Sequence, residues 1–367
     1  MEKSKVYYTS MKTSFSENLP QKLERLIKTA GIGEIDFDGK FTAVKIHFGE
    51  PGNLAFLRPN YAAVVVKTIK ELGGKPFLTD CNTLYVGGRK NALDHIDAAY
   101  QNGFSPFSTG CHVIIADGLK GTDETWVPVD GGEYVKEAKI GRAIMDADIF
   151  ITLSHFKGHE ATGFGGTLKN IGMGCGSRAG KCEMHASGKP VVKQSKCIGC
   201  GRCIQICAHD APSITNRKAS IDYDKCVGCG RCVGVCPVHA ISADENSNDI
   251  LNKKIAEYSK AVIDGRPNFH ISIVVDVSPN CDCHSENDIP IVPNVGMFAS
   301  FDPVALDCAC ADAVNRQPVI SGSQLDRMPK MTNDHFVNSA PETNWRSCVE
   351  HAEKIGIGSQ EYELIEI

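Results

Sequence analysis

The sequence has no apolar run long enough to cross a membrane. Its best stretches, such as residues 61–66 and 271–275, fall far short of the roughly 20 residues that a spanning helix needs. No apolar stretch of secretory length follows the charges of residues 1–10, which read as a first strand, so a cytoplasmic address is expected. Charge of one sign is also missing. Lys plus Arg number 39 and Asp plus Glu 44, a net charge of -5, so there is no global field to hold a phosphate backbone and nucleic acid is not an expected partner. A GxSxG elbow is absent, which leaves a hydrolase triad without an anchor. Two nucleotide motifs are approached and not met. Gly174, Gly176 and Ala179 fit GxGxxA, but no strong strand precedes them and the expected acid would fall among cysteines. Gly180-Lys181 resembles the end of a P-loop, yet Cys175 stands at the earlier glycine and Cys182 at the Ser/Thr position.

What is present is an ordinary globular composition, 42% hydrophobic and 23% charged, with 17 cysteines in 367 residues. Such a length suggests about two to three domains. The cysteine count is odd and the chain too large for a disulfide-stapled mini-domain, so metal ligation is the better explanation.

The N-terminal half alternates strand and helix patterns. Residues 6–9 read as a strand and 18–30 as a helix with Leu19, Leu23, Leu26 and Ile27 on one face; residues 43–48, 76–79, 113–116 and 149–153 read as further strands, and 61–72 as a helix. From about residue 189 to 243 short cysteine clusters replace this rhythm, which then resumes with a helix at 249–263, a strand at 270–275 and a helix at 302–314 begun by Asp302-Pro303. The expected fold is therefore α/β, a mainly parallel sheet with helices on both faces over 1–188 and 244–367, interrupted by an inserted α+β module at 189–243.

That module repeats CxxCxxCxxxC. The first copy is Cys197, Cys200, Cys203 and Cys207; the second is Cys226, Cys229, Cys232 and Cys236, followed by Pro237. In such runs three thiolates converge on one cubane and the fourth reaches the other. The expected sets are Cys197, Cys200, Cys203 and Cys236 for one [4Fe-4S] cluster, and Cys226, Cys229, Cys232 and Cys207 for the second. Structural zinc is the competing reading, because four-thiolate sites also use CxxC pairs. The module resembles bacterial-type two-cluster ferredoxins, although Ala208 stands where that pattern has proline.

In open α/β sheets ligands bind beyond the carboxyl ends of strands, and polar residues follow several apolar runs. These are His47; Asp80 and Cys81; Ser154, His155, Lys157 and His159; and Asp276, Cys281, Cys283 and His284. Gly163, Gly165 and Gly166 would let backbone amides approach an anion, with Lys169 just beyond. His155, His159 and Lys169 are the expected catalytic residues; Lys157, Asp80, Asp302 and the three glycines are expected to bind substrate. His155 and His159 would share a helix face suited to a metal, but the flanking glycines favour a loop. Cys175, Cys182 and His185 form another candidate metal group, with small-hydrophobe roles for the cysteines as the alternative. Cys308, Cys310 and Cys348 receive no role.

Residues 148–154 leading into Lys157 and His159, then 166–172 (GTLKNIG) and 300–307 (SFDPVALD), with the cysteine repeat between them, resemble the iron-sulfur centre family called domain of unknown function 362. The resemblance spans most of residues 1–315; it supports the insertion and implies no particular reaction. A shorter one, over residues 159–172 (HEATGFGGTLKNIG), is to nickel-pincer lactate racemases, where the lysine carries the cofactor. It implies Lys169 as a cofactor or substrate anchor and His159 as a metal or acid-base residue. Two functions remain open: an oxidoreductase whose clusters feed electrons to a small anionic ligand in the α/β cleft, or an electron carrier or cofactor-binding protein serving a partner enzyme. Either implies an electron donor or acceptor protein.

Overall fold

In the computed structural model, which describes residues 3–84, 87–185, 189–226, 228, 230–238, 240–243 and 248–367, the apolar runs become strands of one eight-stranded sheet. They are β1 (Ser4–Ser10), β2 (Phe41–Lys45), β3 (Lys75–Asp80), β4 (Val113–Ile115), β5 (Ile149–His155), β6 (Asn268–Val274), β7 (Gly296–Ser300) and β8 (Tyr362–Glu366). Across the sheet the order is β8-β1-β7-β6-β5-β2-β3-β4. All run one way except β7, which is antiparallel to β1 and β6. Central β5 is buried at every position, as a strand covered on both faces must be.

Alternation along the strands divides the core. Ile149, Ile151 and Leu153 of β5 and Val44 of β2 point to one face, where they meet the helices Leu19–Thr29 and Pro59–Glu71. Phe150 and Ala43 point to the other, packed with Thr167–Cys175, Asn248–Ile263, Pro303–Asn315 and Arg346–Lys354. Leu19–Thr29 begins with a capping box between Asn18 and Gln21, which satisfies two otherwise orphan amides.

The chain leaves β2 toward β3 and β4 on one side, and leaves β5 toward β6 on the other. β2 and β5 are neighbours, so the sheet reverses its winding between them and opens a crevice at their carboxyl ends.

Residues 189–243 add no strand to this sheet among the described residues. Pro190–Val192 pairs antiparallel with Ile241–Ala243, and Pro212–Thr215 with Lys218–Ile221. The short helices Arg202–Ile206 and Arg231–Gly234 each start after a glycine, Gly201 and Gly230, in the left-handed conformation.

Candidate functional site

A cavity of ≈ 710 Å³ occupies the crevice. Its floor is made by Lys45, Asp80 and His155 at the ends of β2, β3 and β5. One wall is the antiparallel ribbon of Lys157–His159 with Gly163–Gly165. A second wall is the Thr167–Cys175 helix, and a third the loop after β6 that carries Cys281, Cys283 and His284. Of the site residues expected from sequence, His155, Lys157, His159, Gly165, Gly166, Lys169 and Asp80 line this one space.

Gly163 and Asp302 do not line it. Gly163 has φ +81°, and a Cβ there would lie 2.9 Å from Cβ of Trp345, so it serves the ribbon's turn and its packing. Asp302 is the N-cap of Pro303–Asn315, accepting from the amides of Val304 (2.8 Å) and Ala305 (3.0 Å), and also from Ser4 Oγ (2.6 Å) and the Ser359 amide (2.8 Å). Every oxygen of that carboxylate is used in holding the fold, which corrects the substrate-binding expectation. His155 and His159 share no helix; they lie on β5 and the ribbon.

Buried charges are paired with care. Lys45 Nζ lies 3.0 Å from Asp80 Oδ1 and 2.8 Å from Asn170 Oδ1. Burial pushes the Asp80 carboxyl up, but Lys45, His95 and His47 together hold it below the usual carboxylate range. Arg89, 1% exposed, donates to Glu50 (2.8 Å) and lies 3.0 Å from His47 Nε2. Burial, then the Arg89 charge, depresses the His47 pKa far enough to keep it neutral.

His155 departs from its expected catalytic role. Its Nδ1 is 2.9 Å from both oxygens of Asp282 and its Nε2 is 2.7 Å from the Val275 carbonyl. With an acceptor opposite each nitrogen the ring is held by the fold and turns no free nitrogen to the cavity. Lys157 Nζ completes the group, 3.4 Å from Asp282 and donating to the His155 carbonyl (3.1 Å). Burial pulls the Lys157 pKa down, but Asp282, Cys281 and Cys283 together raise it above its ordinary value. Both residues hold Asp282, and with it the loop bearing Cys281 and Cys283.

His159 is arranged otherwise. Its Nδ1 accepts from the amides of Ala161 (3.0 Å) and Thr162 (3.1 Å). Ligand-type atoms of His159, Cys281 and Cys283 lie within 4.8 Å of one another. Lys169 reaches Cys281 Sγ at 3.4 Å, and Lys181 donates to the carbonyls of Gly174 and Gly176. Neither lysine has a carboxylate ion-pair partner among the described residues, so the cavity carries surplus positive charge. Cys175 and Cys182 are buried, and burial raises the Cys175 pKa to about 12. Cys175 is thus a neutral thiol in the core, while His185 lines the cavity.

The two segments that carry the family resemblance lock together here. Asp307 accepts from the amides of Thr167 (2.6 Å) and Leu168 (2.9 Å), fixing the start of the helix that presents Lys169. A Cβ on Gly166 would stand 2.5 Å from Asp307 Oδ1 and 2.9 Å from a ring atom of Phe156. Gly166→Ala is therefore expected to destabilise the protein by about 1–3 kcal/mol, read by chemical denaturation. A loss below about 0.5 kcal/mol would show that the lock yields freely.

Beside the cavity, the module's cysteines fall into two groups. One small hollow is lined by Cys197, Cys200, Cys203 and Cys236 with Ile214, Val238 and Ile241. Another is lined by Cys207, Cys226 and Cys232 with Pro212 and Ile221; Cys229 lies outside the described residues. Gly199, Gly201, Gly228 and Gly230, at matching positions of the two runs, all have positive φ, which lets each loop curl around its hollow at no Cβ cost. The Ala219 and Ala240 amides donate to Cys197 Sγ (3.3 Å) and Cys236 Sγ (3.2 Å). The donor set thus suits iron-sulfur ligation: thiolates with N–H···S bonds in apolar surroundings. Leu84 belongs to the core that contains Cys203, Cys232 and Cys236, and it also lines the large cavity.

Glu50, Arg89 and Lys181 have no local sequence signal; they belong to the site only because distant segments meet there. The Asp between Cys281 and Cys283 was the one available hint.

Such features define a mostly parallel α/β protein with a cation-rich cavity at its winding reversal. The chain belongs to the family described as domain of unknown function (DUF362), whose model matches residues 42–312. Over 131 residues it is 27% identical to a thylakoid-associated protein of Synechocystis sp., covering 34% of this chain and 35% of that protein. Among solved structures it is similar to the lactate racemase apoprotein of Thermoanaerobacterium thermosaccharolyticum, with TM-score 0.38 and 11% identity over 74% of this chain and 51% of that one. A Thermotoga maritima protein matches with TM-score 0.36 and 13% identity over 69% and 49%. The chain thus spans about a third of the curated relative and about half of each solved chain. Among the described residues no helix is long and apolar enough to cross a membrane.

Proposed function

We propose that the chain binds two [4Fe-4S] clusters in an inserted ferredoxin-like module, 189–243, and relays electrons from a donor protein to a small anionic substrate or cofactor in the α/β cavity. The observation that carries this reading is the division of the cysteines between the two hollows. Cys236 of the second run sits with the first run, and Cys207 of the first with the second, the exchange that two-cluster runs require. Bound there, the clusters supply one-electron transfer. The chain's own part is to receive an anion: Lys169 and Lys181 are the surplus cations, and Arg89 Nη2 is buried with no hydrogen-bond partner among the described residues, a state that a ligand oxygen would relieve. Leu84 gives the two sites a common wall. A cytoplasmic, oxygen-poor setting suits such exposed clusters, Cys200 being exposed.

Protein prepared without oxygen is expected to contain about eight iron and eight sulfide per chain and to give paramagnetic signals on reduction. Zinc without sulfide would overturn the reading. Lys169→Ala is expected to leave iron and sulfide unchanged while substrate-dependent cluster reoxidation falls by about 100-fold or more. If reoxidation is unaffected and a partner protein is still reduced, the chain is a carrier and the cavity is not its point of delivery.

A further inference from the structure

The loop after β6 puts Cys-Asp-Cys where three elements meet. Asp282 is fully buried and turned toward His155 and Lys157, while Cys281 and Cys283 on either side of it line the cavity. The loop is fixed from below: the Gly158 amide donates to Ser278 O (2.8 Å), and the Glu50 amide to Asp282 O (2.9 Å). Two thiols are thereby held at one cavity wall by backbone that cannot easily move.

Their surroundings favour negative charge on one of them. Lys169 Nζ approaches Cys281 Sγ at 3.4 Å from the Thr167–Cys175 helix, and the Lys157 charge adds to it. Two amides point at His159 Nδ1, which makes that nitrogen the acceptor and leaves the ring proton on Nε2. Ligand-type atoms of His159 and Cys283 lie within 4.8 Å of the Cys281 sulfur, so the ring and the second thiol both border it. The acids nearby are engaged elsewhere, Glu160 with His284 (2.8 Å) and Asp282 with His155. The adjoining Cys283 thiol, and then Lys169, Lys157 and His159 against the opposing effect of burial, lower the Cys281 pKa well below that of a free thiol, while Cys283 is raised.

We propose that Cys281 is the attacking thiolate, and Cys283 the resolving thiol, of a dithiol that exchanges with a disulfide-bonded substrate entering the cavity. The Cys281 thiolate attacks one sulfur of the substrate; that S–S bond breaks, and the leaving thiolate departs with the electron pair. Cys283 gives up its proton and attacks Cys281 in the mixed disulfide. The second substrate thiol leaves, so the substrate is reduced by two electrons and a Cys281–Cys283 disulfide forms. Returning the pair to thiolate and thiol takes two electrons and one proton. Two one-electron iron-sulfur donors match that demand, and this last step alone rests on the function proposed above.

A soft metal ion on His159, Cys281 and Cys283 is the competing occupant. It is disfavoured because ligation through Nε2 needs a lone pair where the two amides have placed the proton, and because Lys169 already puts a cation against the sulfur.

The test uses holoprotein prepared anaerobically. Iodoacetamide labelling followed by peptide mapping is expected to modify Cys281 about tenfold or more faster than Cys283 at about pH 7, with Lys169→Met moving the rise in Cys281 labelling to higher pH. With glutathione disulfide as probe, Cys283→Ser should stop at a stable mixed disulfide on Cys281, whereas wild type goes on to the internal disulfide. Labelling of Cys281 only above about pH 8.5 overturns the proposal. So does release of glutathione by Cys283→Ser without adduct, or one non-iron metal per chain that is lost in Cys281→Ser. Iron and sulfide are measured on the same samples. Thiol results as expected without iron or sulfide would support the dithiol and overturn only the cluster reading.

Discussion

Replacing Asp282 with alanine is expected to destabilise the protein by about 3–5 kcal/mol, because two buried donors, His155 and Lys157, would lose the carboxylate that compensates them. Burial alone would raise the Asp282 pKa, but the adjacent His155 and Lys157 hold it far below the usual carboxylate range. A carboxyl with a depressed native pKa contributes stability above the unfolded value of about 3.9 and loses it as pH falls through the native one. The cost of the substitution should therefore be constant from neutrality down to about pH 4 and shrink only in stronger acid. Urea denaturation at pH 7, at pH 4 and at about pH 2 reads both parts. A difference from wild type below about 1 kcal/mol would mean that the pair is not compensating buried charge. Lys157→Met in the Asp282→Ala background should recover part of the loss, since it removes one orphaned cation.

The second large effect concerns the crossed cysteines. Cys236→Ala belongs by sequence to the second run, yet its sulfur lines the hollow of the first. It is expected to remove about half of the iron and sulfide, and the surviving cluster should be the one served by Cys226, Cys229, Cys232 and Cys207. Cys207→Ala should do the reverse. In either variant, spectra of the reduced protein should lose the magnetic coupling that two neighbouring clusters show. Adding Cys203→Ala to Cys236→Ala should cost no further iron, because in the proposed assignment both would serve one cluster, whereas adding Cys232→Ala should remove the remainder. Were the runs independent, Cys236→Ala and Cys232→Ala would instead be equivalent, and the crossed reading would fail.

How much of this was legible in the sequence varies by feature. Many strand and helix positions followed from periodicity, though not β7, β8 or the Arg346–Lys354 helix, because burying a two-sided sheet between helices forces apolar runs and 3.6-residue stripes into the chain. β5 and the Asp302-capped helix are examples. Segment 154–165 was harder. Its glycines suggested a loop, but Lys157–His159 pairs with Gly163–Gly165, since hydrogen bonding across the ribbon satisfies backbone groups that a buried loop would leave orphaned. Most of the polar residues that follow strands line one cavity, yet their partners differ. Asp302 became a cap and His155 a clamp, because role depends on which atoms lie opposite.

By itself the sequence determined the α/β rhythm, the interruption at about residue 189 and the two four-cysteine runs, since each depends on spacing along one chain. Only the tertiary structure decided which charges are compensated and which are left over. Lys45 finds Asp80, Arg89 finds Glu50 and Lys157 finds Asp282, while Lys169 is left facing a thiol. Such partnerships join distant segments, as do His155 and Asp282, 127 positions apart, and in a low-dielectric interior the opposing atom a few ångströms away, which spacing cannot reveal, sets the chemistry of each group.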